Sequence, residues 1–222
     1  MSRLVARLKP PYLYCIADTS YDVEKLPLMV TQALAGGTKL FQLRGKGIAT
    51  TELVNLGLIL KQLLLAAGKD NLLIINDNPD ACKKIGADGV HLGAGDMAPK
   101  DAREMLGDDA IIGVTLHNKE EALEIFATIK ETADYVGIGP VFASPTKEDL
   151  LPLAAEDGQE LIASVREHSN CPIICIGGIN YNNMQLLSSY SIDGVAVVSA
   201  IAKAEAPTAV CKNMLKELHS WR

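Results

Sequence analysis

Two aspartates and a lysine stand where short apolar runs give out. Asp77 closes Leu72-Leu73-Ile74-Ile75-Asn76-Asp77, Asp96 follows Val90-His91-Leu92-Gly93-Ala94-Gly95, and Lys147 ends Ser144-Pro145-Thr146-Lys147. Two carboxylates with the Asn76 amide beside one of them are donors for a hard cation such as Mg2+. That ion takes one or two carboxylates and completes its shell with water and phosphate oxygens. Each aspartate alone reads as a helix cap, Asp77 ahead of a short helix and Asp96 ahead of Pro99. Brought to one mouth of one fold, the pair reads as metal ligands.

Other run ends carry complementary chemistry. In Gln42-Leu43-Arg44-Gly45-Lys46 the alternate residues share a face, so an amide and two cations can meet an anionic ligand. The bland alternative is a solvated basic strand end. Thr115 and His117 follow Ile111-Ile112-Gly113-Val114. Thr115 can donate to a phosphate oxygen, and His117 is either an acid or base near neutral pH or the entry to the next helix. His91, inside its run, reads as a satisfied core histidine. Ser144, Thr146 and Lys147 place two hydroxyls and an ammonium within four residues, either a phosphate clamp or a Ser/Pro/Thr turn. Ile176-Gly177-Gly178 and Val198-Ser199 add backbone amides and a helix start, a common way to hold phosphate. A cation-lined phosphate site thus faces an amide-lined one, and two phosphorylated small-molecule substrates are the natural inference.

The elements that must position these groups are short β-rich runs. They are Tyr12–Ala17, Leu40–Leu43, Leu72–Asn76, Gly89–Leu92, Ile111–Thr115, Tyr135–Ile138, Pro172–Ile176 and Val195–Val198. Helices are predicted over Thr51–Ala67, Asp80–Ile85, Lys119–Thr128 and Gly158–His168, and an irregular stretch over about Ala143–Asp157. Strand, helix, strand implies parallel pairing with right-handed crossovers. Eight such runs favour an α/β fold closed as a single (β/α)8 TIM barrel, one domain across residues 1–222. The rival open doubly wound sheet lacks its Gly-rich fingerprint, because Ala17-Asp18-Thr19-Ser20 follows the first run.

A hydrophobic fraction of 48% with only 5% aromatic residues suits a core of aliphatic parallel strands. The net charge of −6 and pI near 5.2 argue against broad nucleic-acid or anionic-membrane binding, which needs a basic surface. No run is expected to approach the roughly 18 apolar residues of a membrane span. Pro10-Pro11 and Asp18 break the apolar stretch a secretory leader needs, and five cysteines in no metal-like spacing fit a reducing cytoplasm. Cys171 and Cys175, four apart on a strand, lie about 13 Å apart, too far for a disulfide, and read as core. Homo-oligomerisation is left open.

In their order along the chain these residues resemble the thiamine phosphate synthase family, with matching motifs from about Tyr12 to Ile201. The resemblance implies a Mg2+-dependent transferase of thiamine biosynthesis. It would join 4-amino-2-methyl-5-(diphosphooxymethyl)pyrimidine to a (carboxy)thiazole phosphate, cleaving the carbon–oxygen bond before attack and releasing pyrophosphate. By position it assigns Gln42, Leu43, Arg44, Gly45, Lys46, Asn76, Thr115 and Lys147 to the pyrimidine diphosphate. Asp77 and Asp96 become the metal ligands. Ser144, Pro145, Thr146, Gly178, Val198 and Ser199 fall to the thiazole phosphate, and Lys147, Arg44, Lys46 and Thr115 form the catalytic set. Thr115 replaces the family serine, Ala143 a proline, Ser144 a threonine, and Ala17 stands where a threonine is usual. A thiazole tautomerase, with a histidine matching His117, and a non-catalytic phosphate-binding paralogue are the alternatives.

Overall fold

The first strand carries its apolar residues on both faces, as a strand sandwiched between a barrel interior and a helical shell must. Tyr12, Tyr14 and Ile16 belong to one buried cluster with Leu40, Leu72, Ile74, Ile111, Tyr135, Ile174 and Ala196, while Leu13, Cys15 and Ala17 belong to another. The first cluster fills the barrel; the second lies between sheet and helices. A computed structural model describes residues 2–118, 120–121, 132–143 and 155–221. It shows a closed, all-parallel barrel in the order β1-β2-β3-β4-β5-β6-β7-β8. The strands are β1 (Tyr12–Asp18), β2 (Leu40–Arg44), β3 (Leu72–Asn76), β4 (Gly89–Leu92), β5 (Ile111–Leu116), β6 (Tyr135–Ile138), β7 (Ile173–Ile176) and β8 (Gly194–Val197).

Period-two alternation decides which side chains enter the interior. On β2, Leu40 packs inside and Phe41 and Leu43 pack outside, so Gln42 and Arg44 follow Leu40 inward. The same count sends Asn76 inward after Ile74, and Thr115 after Ile111 and Gly113.

Among the described helices, those at Thr50–Ala67, Pro79–Ile85 and Ala155–His168 match expected ones. The last begins inside the stretch read as irregular. Leu26–Ala35, Pro99–Leu106 and Pro207–Ser220 add outer helices, and Arg3–Arg7 a short one that puts fully buried Leu4 into the interior cluster. The expected helix Lys119–Thr128 lies almost wholly outside the described residues. One expectation is corrected: Thr50–Ala67, with a mean hydropathy of 1.3, is long and apolar enough to cross a membrane by length and composition. Here it is a barrel helix, with Leu53, Leu56, Gly57, Leu60 and Leu64 buried.

Three aspartates tie the lower rim of the barrel. Asp88, Asp134 and Asp193 immediately precede β4, β6 and β8. Each accepts a backbone N–H from the first or second residue of the preceding strand, from Leu73 at 2.8 Å, Ile112 at 3.0 Å and Ile173 at 2.9 Å. Each also holds a cation: Lys61 at 2.7 Å and Arg7 at 2.6 Å on Asp88, Arg103 at 2.8 Å on Asp134, and Arg166 on Asp193. All five cysteines are buried free thiols. Burial pushes those of Cys82 and Cys175 up to about 12, which leaves them as packing groups.

Candidate active site

At the C-terminal ends of the strands the side chains that point inward stop filling the barrel and enclose a cavity of about 590 Å3. This is the mouth at which barrels of this architecture place their chemistry. Gln42, Arg44, Lys46, Asn76, Asp77, Asp96, Thr115, His117, Gly178, Val198 and Ser199 all line it. Leu43 and Gly45, drawn in with the contiguous motif, do not. Leu43 is fully buried in the outer cluster, and a Cβ on Gly45 would fall 2.7 Å from Leu53. Ser144, Pro145, Thr146 and Lys147 lie outside the described residues.

Neither aspartate is a helix cap. The helix Pro79–Ile85 is capped by Asn78, whose side chain accepts from the Ala81 N–H at 2.8 Å. The helix Pro99–Leu106 has Ala98 at its cap. Asp77 is instead the one non-glycine residue with positive φ among the described residues, at 61°, its N–H donating to the His91 carbonyl at 2.8 Å. That left-handed turn carries its side chain off the strand toward Asp96. Asp96 is oriented by the Gly93 N–H, which donates to its Oδ2 at 2.7 Å. Burial first, then the adjoining Asp96 carboxyl, push the Asp77 carboxyl up to about 6, against the pull of Lys46 and Arg44.

Arg44 owes its pose to a residue missed in the sequence. Asp18, 1% exposed at the end of β1, takes Arg44 Nη1 at 2.5 Å and the Ser20 N–H at 2.9 Å. β1 and β2 pair so that Asp18 and Arg44 are in register. The signal was present: a carboxylate ends an apolar run directly beside the basic one. Across the mouth, Gly177 and Gly178 have φ of 104° and 62°. A Cβ on Gly178 would lie 2.4 Å from the Ala143 carbonyl oxygen, so only glycine lets this turn pass under the loop after β6. Asn183 steadies the turn, its Nδ2 donating to the Gly178 carbonyl at 2.9 Å. The helix after Val198 spans only Ser199–Ala202, so its dipole contributes less than the sequence led one to expect. His117 donates its backbone N–H to Glu121 at 2.8 Å and places Nδ1 3.1 Å from the same carboxylate.

A cavity with a carboxylate pair and paired cations on one side and a glycine turn on the other suits two anionic groups. Comparison with known proteins identifies the family. Its model, described as thiamine monophosphate synthase, matches residues 13–201. The chain belongs to the thiamine monophosphate synthase family. A thiamine-phosphate synthase of Methanobrevibacter smithii is 39% identical over 92% of this chain and 94% of its own length. One from Chloroflexus aurantiacus is 37% identical over 91% and 90%. Among solved structures, a thiamine phosphate pyrophosphorylase from Pyrococcus furiosus superposes with a TM-score of 0.80 at 32% identity, covering 95% of this chain and 96% of that one. A tryptophan synthase from M. tuberculosis, TM-score 0.71 at 13% identity, shares the barrel alone.

Proposed function

We propose that this chain is a thiamine-phosphate synthase. It joins 4-amino-2-methyl-5-(diphosphooxymethyl)pyrimidine to a (carboxy)thiazole phosphate and releases pyrophosphate. The observation that carries the reading is the convergence of Asp77, Asp96, Arg44 and Lys46 on one cavity, in a chain of this family. Two carboxylates pressed together, one held up at about 6, fit a divalent cation that would relieve their repulsion. Among the described residues no group of three or more His, Cys, Asp or Glu is placed to hold a metal ion. A two-carboxylate site suits Mg2+, which keeps water and takes phosphate oxygens. Bound to Asp77 and Asp96, Mg2+ would supply Lewis-acid neutralisation of the diphosphate.

The chain's own groups account for the remaining steps. Arg44, fixed by Asp18, and Lys46 orient the diphosphate with Asn76, and Lys147 adds its charge as the resemblance assigns. The carbon–oxygen bond to the pyrimidine methylene breaks, its electron pair leaving on pyrophosphate. The thiazole nitrogen lone pair then forms the carbon–nitrogen bond. Charge on the departing group is the main thing to stabilise, and cations preorganised in a partly closed cavity do that well. Gln42 and Thr115 meet the pyrimidine. Gly178, Val198 and Ser199 receive the thiazole phosphate with Ser144, Pro145 and Thr146. The acidic net charge supports small phosphorylated partners over nucleic acid, and five buried thiols support a cytoplasmic setting.

A coupled assay tests the reading. Purified chain with both substrates should yield thiamine phosphate with Mg2+ and none with EDTA. Isomerisation of the carboxythiazole phosphate without metal, dependent on His117, would mark a tautomerase. Binding without turnover would mark a non-catalytic paralogue. A second outcome follows from the glycine turn: Gly178→Ala, strained by φ and blocked by Ala143, should raise KM for the thiazole phosphate about tenfold while KM for the pyrimidine diphosphate stays unchanged.

A further inference from the structure

Five strands contribute one polar side chain each to a continuous hydrogen-bonded chain across the cavity floor. Gln42 Nε2 donates to Tyr14 Oη at 2.9 Å, and Tyr14 Oη lies 2.8 Å from Tyr135 Oη. Tyr135 Oη lies 3.0 Å from His91 Nδ1, and His91 Nε2 lies 2.6 Å from Thr115 Oγ1. All five residues line the cavity. The rings are held as well as bonded. Tyr135 stacks on His91 with centroids 5.4 Å apart and meets Tyr14 edge-on at 5.8 Å. Gly113 and Gly137 make the room: a Cβ at 113 would fall 2.1 Å from the Tyr135 ring, and one at 137 would fall 3.3 Å from His91 Cε1.

Each phenol has one proton to give, and a neutral imidazole has one N–H and one acceptor nitrogen. Burial holds both phenols far above their ordinary range, so both keep that proton. The links are therefore coupled. With Gln42 donating, Tyr14 donates to Tyr135, Tyr135 to His91 Nδ1, and the Nε2 tautomer of His91 donates to Thr115. The Thr115 proton, the Gln42 carbonyl oxygen and the second Gln42 amide hydrogen are then left for the cavity. Reversing one link reverses all of them, and both ends exchange roles.

We propose that Tyr14, Tyr135 and His91 are positioning residues that lock one sense of this relay, so that Gln42 presents an acceptor and Thr115 a donor to an aminopyrimidine. This rests on the reaction proposed above. A 4-aminopyrimidine offers an N–H donor and ring-nitrogen acceptors, the complement of that pair. Its 4-oxo counterpart, as the lactam, exchanges donor for acceptor along the same edge. A site that fixes its polar groups discriminates such analogues strongly, because the wrong one leaves buried groups unpaired. Neither tyrosine need touch the reacting atoms for this selection to operate.

The test compares 4-amino and 4-oxo pyrimidine diphosphates as substrates of the parent, Tyr135→Phe and Tyr14→Phe, each with thiazole phosphate and Mg2+. Near-UV circular dichroism and melting establish that each variant is folded. The parent should prefer the amino substrate by about 100-fold or more in kcat/KM. Tyr135→Phe, which cuts the chain at its centre, should lower that preference about tenfold with KM for thiazole phosphate unchanged. Tyr14→Phe, which frees the Gln42 end, should lower it comparably, and the double variant should lose little more than either single one. A parent that makes no product refutes the reaction itself. A parent that turns over while both folded single variants keep the full preference, or a double variant whose losses add, overturns the relay.

Discussion

Asp77→Asn is expected to lower turnover about a thousandfold at saturating substrate, the scale of losing a preorganised electrostatic contact to the leaving group. Asparagine tolerates positive φ, so the turn at 61° is kept and only the charge is lost. The same change should raise the melting temperature of metal-free protein. In the parent the folded-state carboxyl lies at about 6, well above an ordinary aspartate, so the folded protein binds the Asp77 proton more tightly than the unfolded chain does. Stability from this group is therefore fully present below about pH 4 and is lost as pH rises to about 6. Above that, the parent carries a constant penalty of roughly 1 kcal/mol, given the partial exposure of the site. In EDTA the variant's advantage should grow from pH 4 to pH 6 and then level off. Thermal melts along that pH series, beside pyrophosphate release with Mg2+, check both halves. A variant that keeps a tenth of parental turnover would remove Asp77 from the metal site. Cys171→Ala, on a thiol bonded to the Ala133 carbonyl far from the mouth, should stay within about twofold of parental turnover.

Strands and inward-facing residues were legible because both rest on local rules. Apolar runs located all eight strands with every end within one residue, and alternation along β2 put Gln42 and Arg44 on one face. The same alternation should have removed Leu43, which entered only because a contiguous motif was carried over whole. What resisted reading was contact between distant positions. Asp77 and Asp96 each read alone as caps, and it took the left-handed turn at Asp77, with Asn78 and Ala98 at the two caps, to remove that reading. His91 read correctly as a satisfied core histidine, but the partners that satisfy it were not legible, because Tyr135 lies 44 residues later and Thr115 lies 24. Asp18 passed as the end of an apolar run until the β1–β2 register put Arg44 beside it. The helices Leu26–Ala35, Pro99–Leu106 and Pro207–Ser220 were passed over although each holds a proline in its first turn, a start signal open to sequence reading.

Asp134→Ala should show the opposite pattern to Asp77→Asn. Asp134 is 1% exposed at the lower rim. It accepts the Ile112 N–H at 3.0 Å, Arg103 Nη2 at 2.8 Å and the Arg3 N–H at 2.8 Å. One carboxylate thus holds the start of β5, leads into β6 and fastens the N-terminal helix. Removing it strands the Arg103 guanidinium, whose side chain is 11% exposed, without its counter-charge, and leaves a buried N–H unpaired. Breaking a buried pair in this way costs about 3 to 5 kcal/mol, or roughly 10 °C in Tm for a chain of this size. The catalytic mouth lies at the other end of the strands, so kcat and both KM values of the folded variant, measured well below its Tm, should stay within about twofold of parental. A fall in kcat with Tm unchanged would mean that the rim is coupled to the mouth. Loss of stability with kinetics intact would place the ion-paired aspartates before β4, β6 and β8 as the fastening that lets the mouth tolerate a repelling carboxylate pair.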